Sequence, residues 1–343
     1  MVERRKNPIP YIVLHDYLHS YDDKERNWWK YKRQSTGLAD RLLLVAKNDQ
    51  DEESKEIFQK TAHKVRQCGN YLEFAKEPDG KHMKLFKAFF CKDRLCAMCQ
   101  WRRELKVTYQ MRKVIEQGLI DYPTGRFLFL TLTVRNVKGE DLRSTLRAMN
   151  KGFRRMINWK KVQTDILGFV RSAEVTVNQQ DLMYHPHLHV LLFVRASYFK
   201  GGHYFNHNEW QAMWKKAMNL DYDPMVNIQV IKPNRKRKDG QSILSAVAEV
   251  GKYQVKPTSY LSEDKPKDAI IIKTLETELK QSRMATYGLV LKDIKKRLFK
   301  DDDPDSKDAD LIHVDDNDEA KATAEIVTAC WNAKIKNYVV LEK

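Results

Sequence analysis

With 343 residues, 42% hydrophobic and 10% aromatic, the chain is long enough for about two packed domains and too apolar to be a disordered one. Its 62 Lys plus Arg stand against 46 Asp plus Glu, and residues 301–320 hold ten acidic residues and one lysine, so the rest of the chain is more basic than the net +16 shows. That balance points to a polyanionic partner, nucleic acid foremost, and the longest apolar stretches, such as "FLFLTLTV", are too short to span a membrane.

The opening 20 residues lack an apolar region followed by a small-residue cleavage site, so the cytoplasm is the expected compartment. Residues 27–34, "NWWKYKRQ", interleave aromatic and basic groups, a pattern suited to stacking on bases but commoner in a core. Residues 54–76 have loose helical spacing, followed by a turn at "EPDGK" and an extended run "HMKLFKAFF". Next comes "CKDRLCAMCQWRRELKVTYQMRKVIEQG", a cysteine knuckle running into a basic helix that Gly118 is expected to end. Cys91, Cys96 and Cys99 are spaced C-x4-C-x2-C, with Cys68 upstream. In a reducing compartment four thiolates suit a structural Zn²⁺, the alternative being buried free cysteines. Arg102, Arg103 and Lys106 on the helix that follows are candidate DNA contacts.

From residue 126 the periodicity changes. "RFLFLTLTVRN" predicts a strand, 140–158 a helix with Leu142, Leu146, Met149, Phe153 and Met156 on one stripe, and "ILGFVRSAEVTVN" a second strand. "QQDLM" is a turn and "HPHLHVLLFV" a third strand, then a helix around Trp210 and Trp214, a strand "VNIQVIKP" and a basic loop with Arg235, Lys236, Arg237 and Lys238. A helix is expected over 242–256, stopped by Pro257, and another over 274–300, then the acidic linker and a short element with Trp331. This order indicates α+β, a mainly antiparallel central sheet with flanking helices and an N-terminal cysteine-containing module.

Strand side chains alternate between faces, so His185, His187 and His189 share one. Folding 168–177 back on 185–194 sets Glu174 opposite His187, on that same face. A slip of one residue would turn Glu174 away. His187, His189 and Glu174 would leave open positions on a divalent metal, Mn²⁺ or Mg²⁺ in a phosphoryl-transfer setting; the alternative is a solvated histidine face. On the 242–256 helix, Glu249, Tyr253 and Lys256 fall on one side, with Ile243, Leu244, Val247 and Val250 free to dock on the sheet. A tyrosine needs a metal or cation beside it to act as a nucleophile, and most tyrosines on basic helices are structural.

"FLFLTLTVRN", "HPHLHV" and "AEVGKYQVK" occur in the order and approximate spacing of the three motifs of HUH endonucleases. With "FFCKDRLCAMCQWRR" and "MWKKAMNLDYDP", the chain, most clearly over 60–300, resembles the replication initiators of small rolling-circle plasmids of Gram-positive bacteria. The resemblance implies binding of the plasmid double-strand origin and metal-dependent nicking of one strand. In it Tyr253 forms a 5′-phosphotyrosine, and Glu249, as in the one-tyrosine branch, activates water for the terminating cleavage. It further implies single-stranded DNA at the nick and host helicase, DNA polymerase and single-strand binding protein as partners. The expected division is a DNA-binding region with the zinc site over 1–120, the nuclease over 121–265, and a helical region with the acidic linker over 266–343. The alternatives are another HUH enzyme, a relaxase or a single-strand transposase, and a non-catalytic zinc-dependent DNA-binding protein.

Overall fold

A computed structural model describes residues 27–76, 83–231, 243–252, 254–280, 282–283, 285–300, 302–315 and 325–341. It opens on helices α1 (Trp28–Asn48) and α2 (Glu52–Gln67), the second capped by Asp51, whose side chain accepts from Ser54 N. Gly69, at φ +63°, turns the chain out of α2 into the hairpin β1 (Tyr71–Lys76) and β2 (Met83–Ala88). Helix α3 (Ala97–Asp121) follows.

Strand β3 (Arg126–Thr133) begins the second sheet, followed by α4 (Leu142–Ile157), the short α5 (Lys160–Gln163), β4 (Ile166–Asn178) and β5 (Met183–Val194). Then come α6 (His207–Met218), β6 (Val226–Ile231), α7 (Ile243–Gly251), α8 (Lys265–Glu278), β7 (Ala285–Leu289), α9 (Val290–Phe299), β8 (Ile326–Asn332) and β9 (Asn337–Leu341). Among the described residues the strands form two antiparallel sheets, of order β2-β1-β8-β9 and β6-β3-β5-β4-β7. The α+β class expected from the sequence is therefore the observed one.

The period-two pattern of β5 explains the layering of the larger sheet. Leu188, Val190, Leu192 and Val194 face α4 and α6, packing with Met149, Phe153, Met156, Trp210 and Trp214. Leu191 and Phe193 face the other way, into a core with Val107, Met111, Val114 and Ile115 of α3, Val247 and Val250 of α7, and Leu291 and Ile294 of α9. The histidines continue that second face, His189 buried and His187 and His185 half-buried.

Several elements depart from the expected ones for physical reasons. The helix predicted from 54 to 76 stops at Gln67, because residues 71–76 pair with both β2 and β8. Gly118 lies inside α3; a Cβ there would meet Leu291 Cδ2 at 3.2 Å, so the glycine admits α9. The helix predicted over 242–256 ends at Gly251. Beyond it Gln254 O accepts from Val175 N at 2.7 Å and Val255 is fully buried, so the chain runs alongside β4. Lys256 is consequently not on the face of α7, and Leu244 is exposed. The 274–300 segment is interrupted by β7, which pairs with β4. Trp28 is a core anchor, edge-on to Phe74 and Trp101.

Candidate functional site

The β4–β5 hairpin turns through Gln179–Leu182, with Asn178 Oδ1 accepting from Gln180 N and Asp181 Oδ1 from Met183 N. The resulting register sets Glu174 opposite His187 and Ser172 opposite His189, while β3 places Thr133 and Thr131 on their other side. Glu174 Oε2 lies 3.2 Å from His187 Nε2 and 3.0 Å from His189 Nε2. The His189 ring stacks on Phe129, and its Nδ1 meets Thr131 Oγ1 at 3.3 Å, which fixes which nitrogen faces the carboxylate. Neither Phe129 nor Thr131 was singled out from sequence; their β3 register against β5 is the signal that finds them.

Both Nε2 atoms and one carboxylate oxygen thus converge on one spot, as donors around a small divalent cation do. Cis ligands at about 2.1 Å in an octahedron lie roughly 3.0 Å apart, close to the separations seen here. Among the described residues His187 Nδ1 is buried without a hydrogen-bond partner. Burial would raise the Glu174 carboxyl, but hydrogen bonds from His187 and His189 hold it well below the usual carboxylate range, ready to ligate. Lys256 Nζ sits 3.6 Å from Glu174 Oε1, so it reaches this centre although it has left the helix. His185 pairs with Asn136 and stands apart from the cluster. Glu249 is half-buried on α7 and ion-paired with Lys252. Tyr253 and the basic run Arg235, Lys236, Arg237 and Lys238 lie outside the described residues.

The cysteines form a second cluster. The Sγ atoms of Cys68, Cys91, Cys96 and Cys99 lie within 4.8 Å of one another, with Cys99 3.6 Å from both Cys68 and Cys91. Tetrahedral zinc with Zn–S near 2.3 Å sets sulfur separations of roughly 3.8 Å, so the cradle fits. The N–H groups of Lys92 and Cys91 donate to Cys99 and Cys68 sulfur, an arrangement that favours thiolate. Burial drives the Cys91 and Cys99 thiols up; at Cys96, which burial would also raise, hydrogen bonds from the other three cysteines and Ser35 win and pull it well down. Lys32, fully buried, donates to Arg66 O and Cys68 O, and burial brings its ammonium down to about 8 against the pull of the sulfurs. Its charge would offset part of the net negative charge of four thiolates holding a dication. Nothing in "KYKR" distinguishes this lysine from its exposed neighbours except its place on the buried stripe of α1.

Arg102, Arg103 and Lys106, expected as DNA contacts, are buried instead. Arg102 donates to Leu311 O and Ile312 O, Arg103 to Pro304 O and Asp93 O, and Lys106 to Asp310 O, with its ammonium 2.8 Å from an Asp302 oxygen. They staple the acidic segment to α3, and the correction follows from the carbonyls that surround them. Arg102→Met should therefore cost roughly 3 kcal/mol, two charge-assisted bonds lost from a buried site. Chemical denaturation checks the magnitude, and new protease cleavage within 302–315 the mechanism; unchanged stability would mean that the staple is ornamental.

No helix among the described residues is long and apolar enough to cross a membrane. A sequence model described as "Replication protein" matches residues 82–339. The chain is 43% identical over 286 residues to a "Protein rep" of Lactiplantibacillus plantarum, covering 82% of this chain and 88% of that one. It is 37% identical over 324 residues to a "Protein rep" of Lentilactobacillus hilgardii, covering 94% and 97%. A "Replication protein" of Staphylococcus aureus is 42% identical over 240 residues, 69% of this chain and all of that one. No solved structure matches.

Proposed function

The chain belongs to the replication-protein family, and from that premise we propose that it starts rolling-circle replication of a plasmid by nicking one strand at the double-strand origin. The observation that carries this reading is the convergence of His187, His189 and Glu174 on one point of the larger sheet. A divalent metal held there, Mn²⁺ or Mg²⁺, would polarise the scissile phosphate.

Tyr253 is the nucleophile. Its oxygen bonds to phosphorus as the bond to the 3′ oxygen breaks; the phenolic proton leaves to solvent, and the departing oxygen takes up a proton as a 3′-OH. The products are a 5′-phosphotyrosine and a primer for synthesis. Glu174 would be the third ligand beside the two imidazoles, and Lys256 holds positive charge beside it. At termination Glu249, four residues before Tyr253, removes a proton from the water that makes the second cleavage. The nicking machinery is assigned to 121–265, origin recognition to 1–120 with its zinc site, and a supporting role to 266–343. Single-stranded DNA at the nick, and host helicase, polymerase and single-strand binding protein, are the partners of this cycle.

Tyr253→Phe keeps the ring and loses the oxygen, so both the nick and the covalent DNA adduct should vanish. Glu249→Ala should keep the first nick and lose the last cleavage, giving plasmid single strands longer than one unit. Gel analysis of the adduct and of replicated strands checks both; an adduct surviving in Tyr253→Phe would refute the nucleophile.

A further inference from the structure

Helix α4, "LRSTLRAMNKGFRRMI", carries no acidic residue. Arg143, Arg147, Lys151 and Arg154, at i, i+4, i+8 and i+11, make one stripe along it, opposite the Leu146, Met149 and Phe153 that enter the core. The stripe spans roughly 16 Å, room for several successive phosphates. Its N-terminal end borders a cleft of about 310 Å³ whose lining includes Arg143, Arg147, Arg171, Lys280, Arg283 and Gln254.

Arg171 is the telling residue. Its guanidinium is half-buried over the Phe153 ring, 5.2 Å from the centroid, and among the described residues no carboxylate pairs with it. Burial and the neighbouring Arg154 push it down to about 10. Among the described residues, the one acidic residue lining the cleft, Glu278, is taken up by Arg143. A desolvated cation among cations is costly unless an anion completes it. Arg171 and Glu174 are three residues apart on β4, roughly 10 Å, on opposite faces of the sheet. Only residues 168–172 of β4 are covered by β7; beyond them the edge is met by Gln254, the residue after Tyr253.

We propose that the α4 stripe and the Arg171 cleft bind the phosphodiester backbone of a single DNA strand and lead it over the β4 edge, past Gln254, to the His187–His189–Glu174 centre. The inference rests on the nicking reading for the identity of the strand. A single strand is the fitting ligand because Arg171 is half-buried against Phe153, where a flexible single backbone can reach it, whereas the exposed Arg147 and Arg154 are open to any phosphate backbone.

The test is the salt dependence of binding of a labelled origin single strand, followed by fluorescence anisotropy, to the full chain. Arg147 and Arg154 are exposed, so Arg147→Gln with Arg154→Gln should fold, and the log–log salt slope should fall by about 1.4, at roughly 0.7 per phosphate contact on a single strand. Removing the same charge at exposed Lys292 and Lys296 of α9 should leave the slope unchanged. Adding Arg171→Gln should weaken single-strand binding further and duplex binding little. An unchanged slope in the Arg147/Arg154 variant, absence of single-strand binding by the unmodified protein, or equal losses on duplex and single strand would each overturn the proposal. A protein that shows the expected slopes yet makes no nick would keep the track and retire the reaction; one that nicks with unchanged slopes would do the reverse.

Discussion

His187→Ala or His189→Ala should abolish nicking of supercoiled origin DNA, by at least about a thousandfold, while leaving duplex binding nearly intact. The size follows from what a Lewis acid at a phosphate contributes, several kcal/mol, at one factor of ten per 1.36 kcal/mol. Binding should survive because each histidine interacts with Glu174 and its strand neighbours, and duplex affinity is expected to come from cations placed elsewhere. His189→Ala also empties the space against Phe129, so His189→Gln is the companion that keeps bulk there. Glu174→Ala should weaken Mn²⁺ binding measured by calorimetry and leave Lys256 without its carboxylate. Undiminished Mn²⁺-dependent nicking by both histidine variants would remove the metal from this face of the sheet.

Loss of a metal from the cysteine cluster should have the larger structural effect. Freshly purified protein is expected to hold about one Zn²⁺ per chain, and apparent binding energies for structural zinc are about 10–16 kcal/mol at neutral pH, comparable to the stability of a whole domain. The four cysteines come from the end of α2, the loop after β2 and the start of α3, so losing the ion unties three segments at once. Chelation or Cys99→Ser should then melt the smaller sheet; Cys99 is the choice because it lies 3.6 Å from two of the other sulfurs. Circular dichroism and elemental analysis read this directly. Protein free of zinc with an unchanged melting curve would return the cysteines to plain core packing.

What the sequence disclosed, and what it withheld, divides along a physical line. The β4–β5 hairpin was legible because a period-two pattern, a turn of Asn, Gln and Asp, and one required register are all local, and Glu174 came with them. The four cysteines were legible as a set, since a CxxC spacing at a helix start is a local geometry too. The basic helix misled because charge along a chain does not reveal burial: the carbonyls that receive Arg102 lie 209 and 210 positions away. Strand β7 was hidden for the same reason. "ATYGL" sits between helical stretches, and only a partner more than a hundred residues earlier makes it a strand. The end of α7 turned on Gly251 and on Val255, whose burial beside β4 no spacing rule foretells.

The pairing of β1 with β8 bears on how the protein is made. Lys76 and Glu325, bonded through their backbones beside that pairing, are 249 positions apart. At about 5–20 residues per second, a ribosome needs roughly 12–50 s to travel between them. For that interval β1 has only β2 beside it and an unpaired edge on its other side, a form in which hairpins are marginal and prone to the wrong partner. The larger sheet meets its last strand, β7, some forty residues sooner. The half of the molecule that leaves the ribosome first is therefore the half whose sheet is completed last.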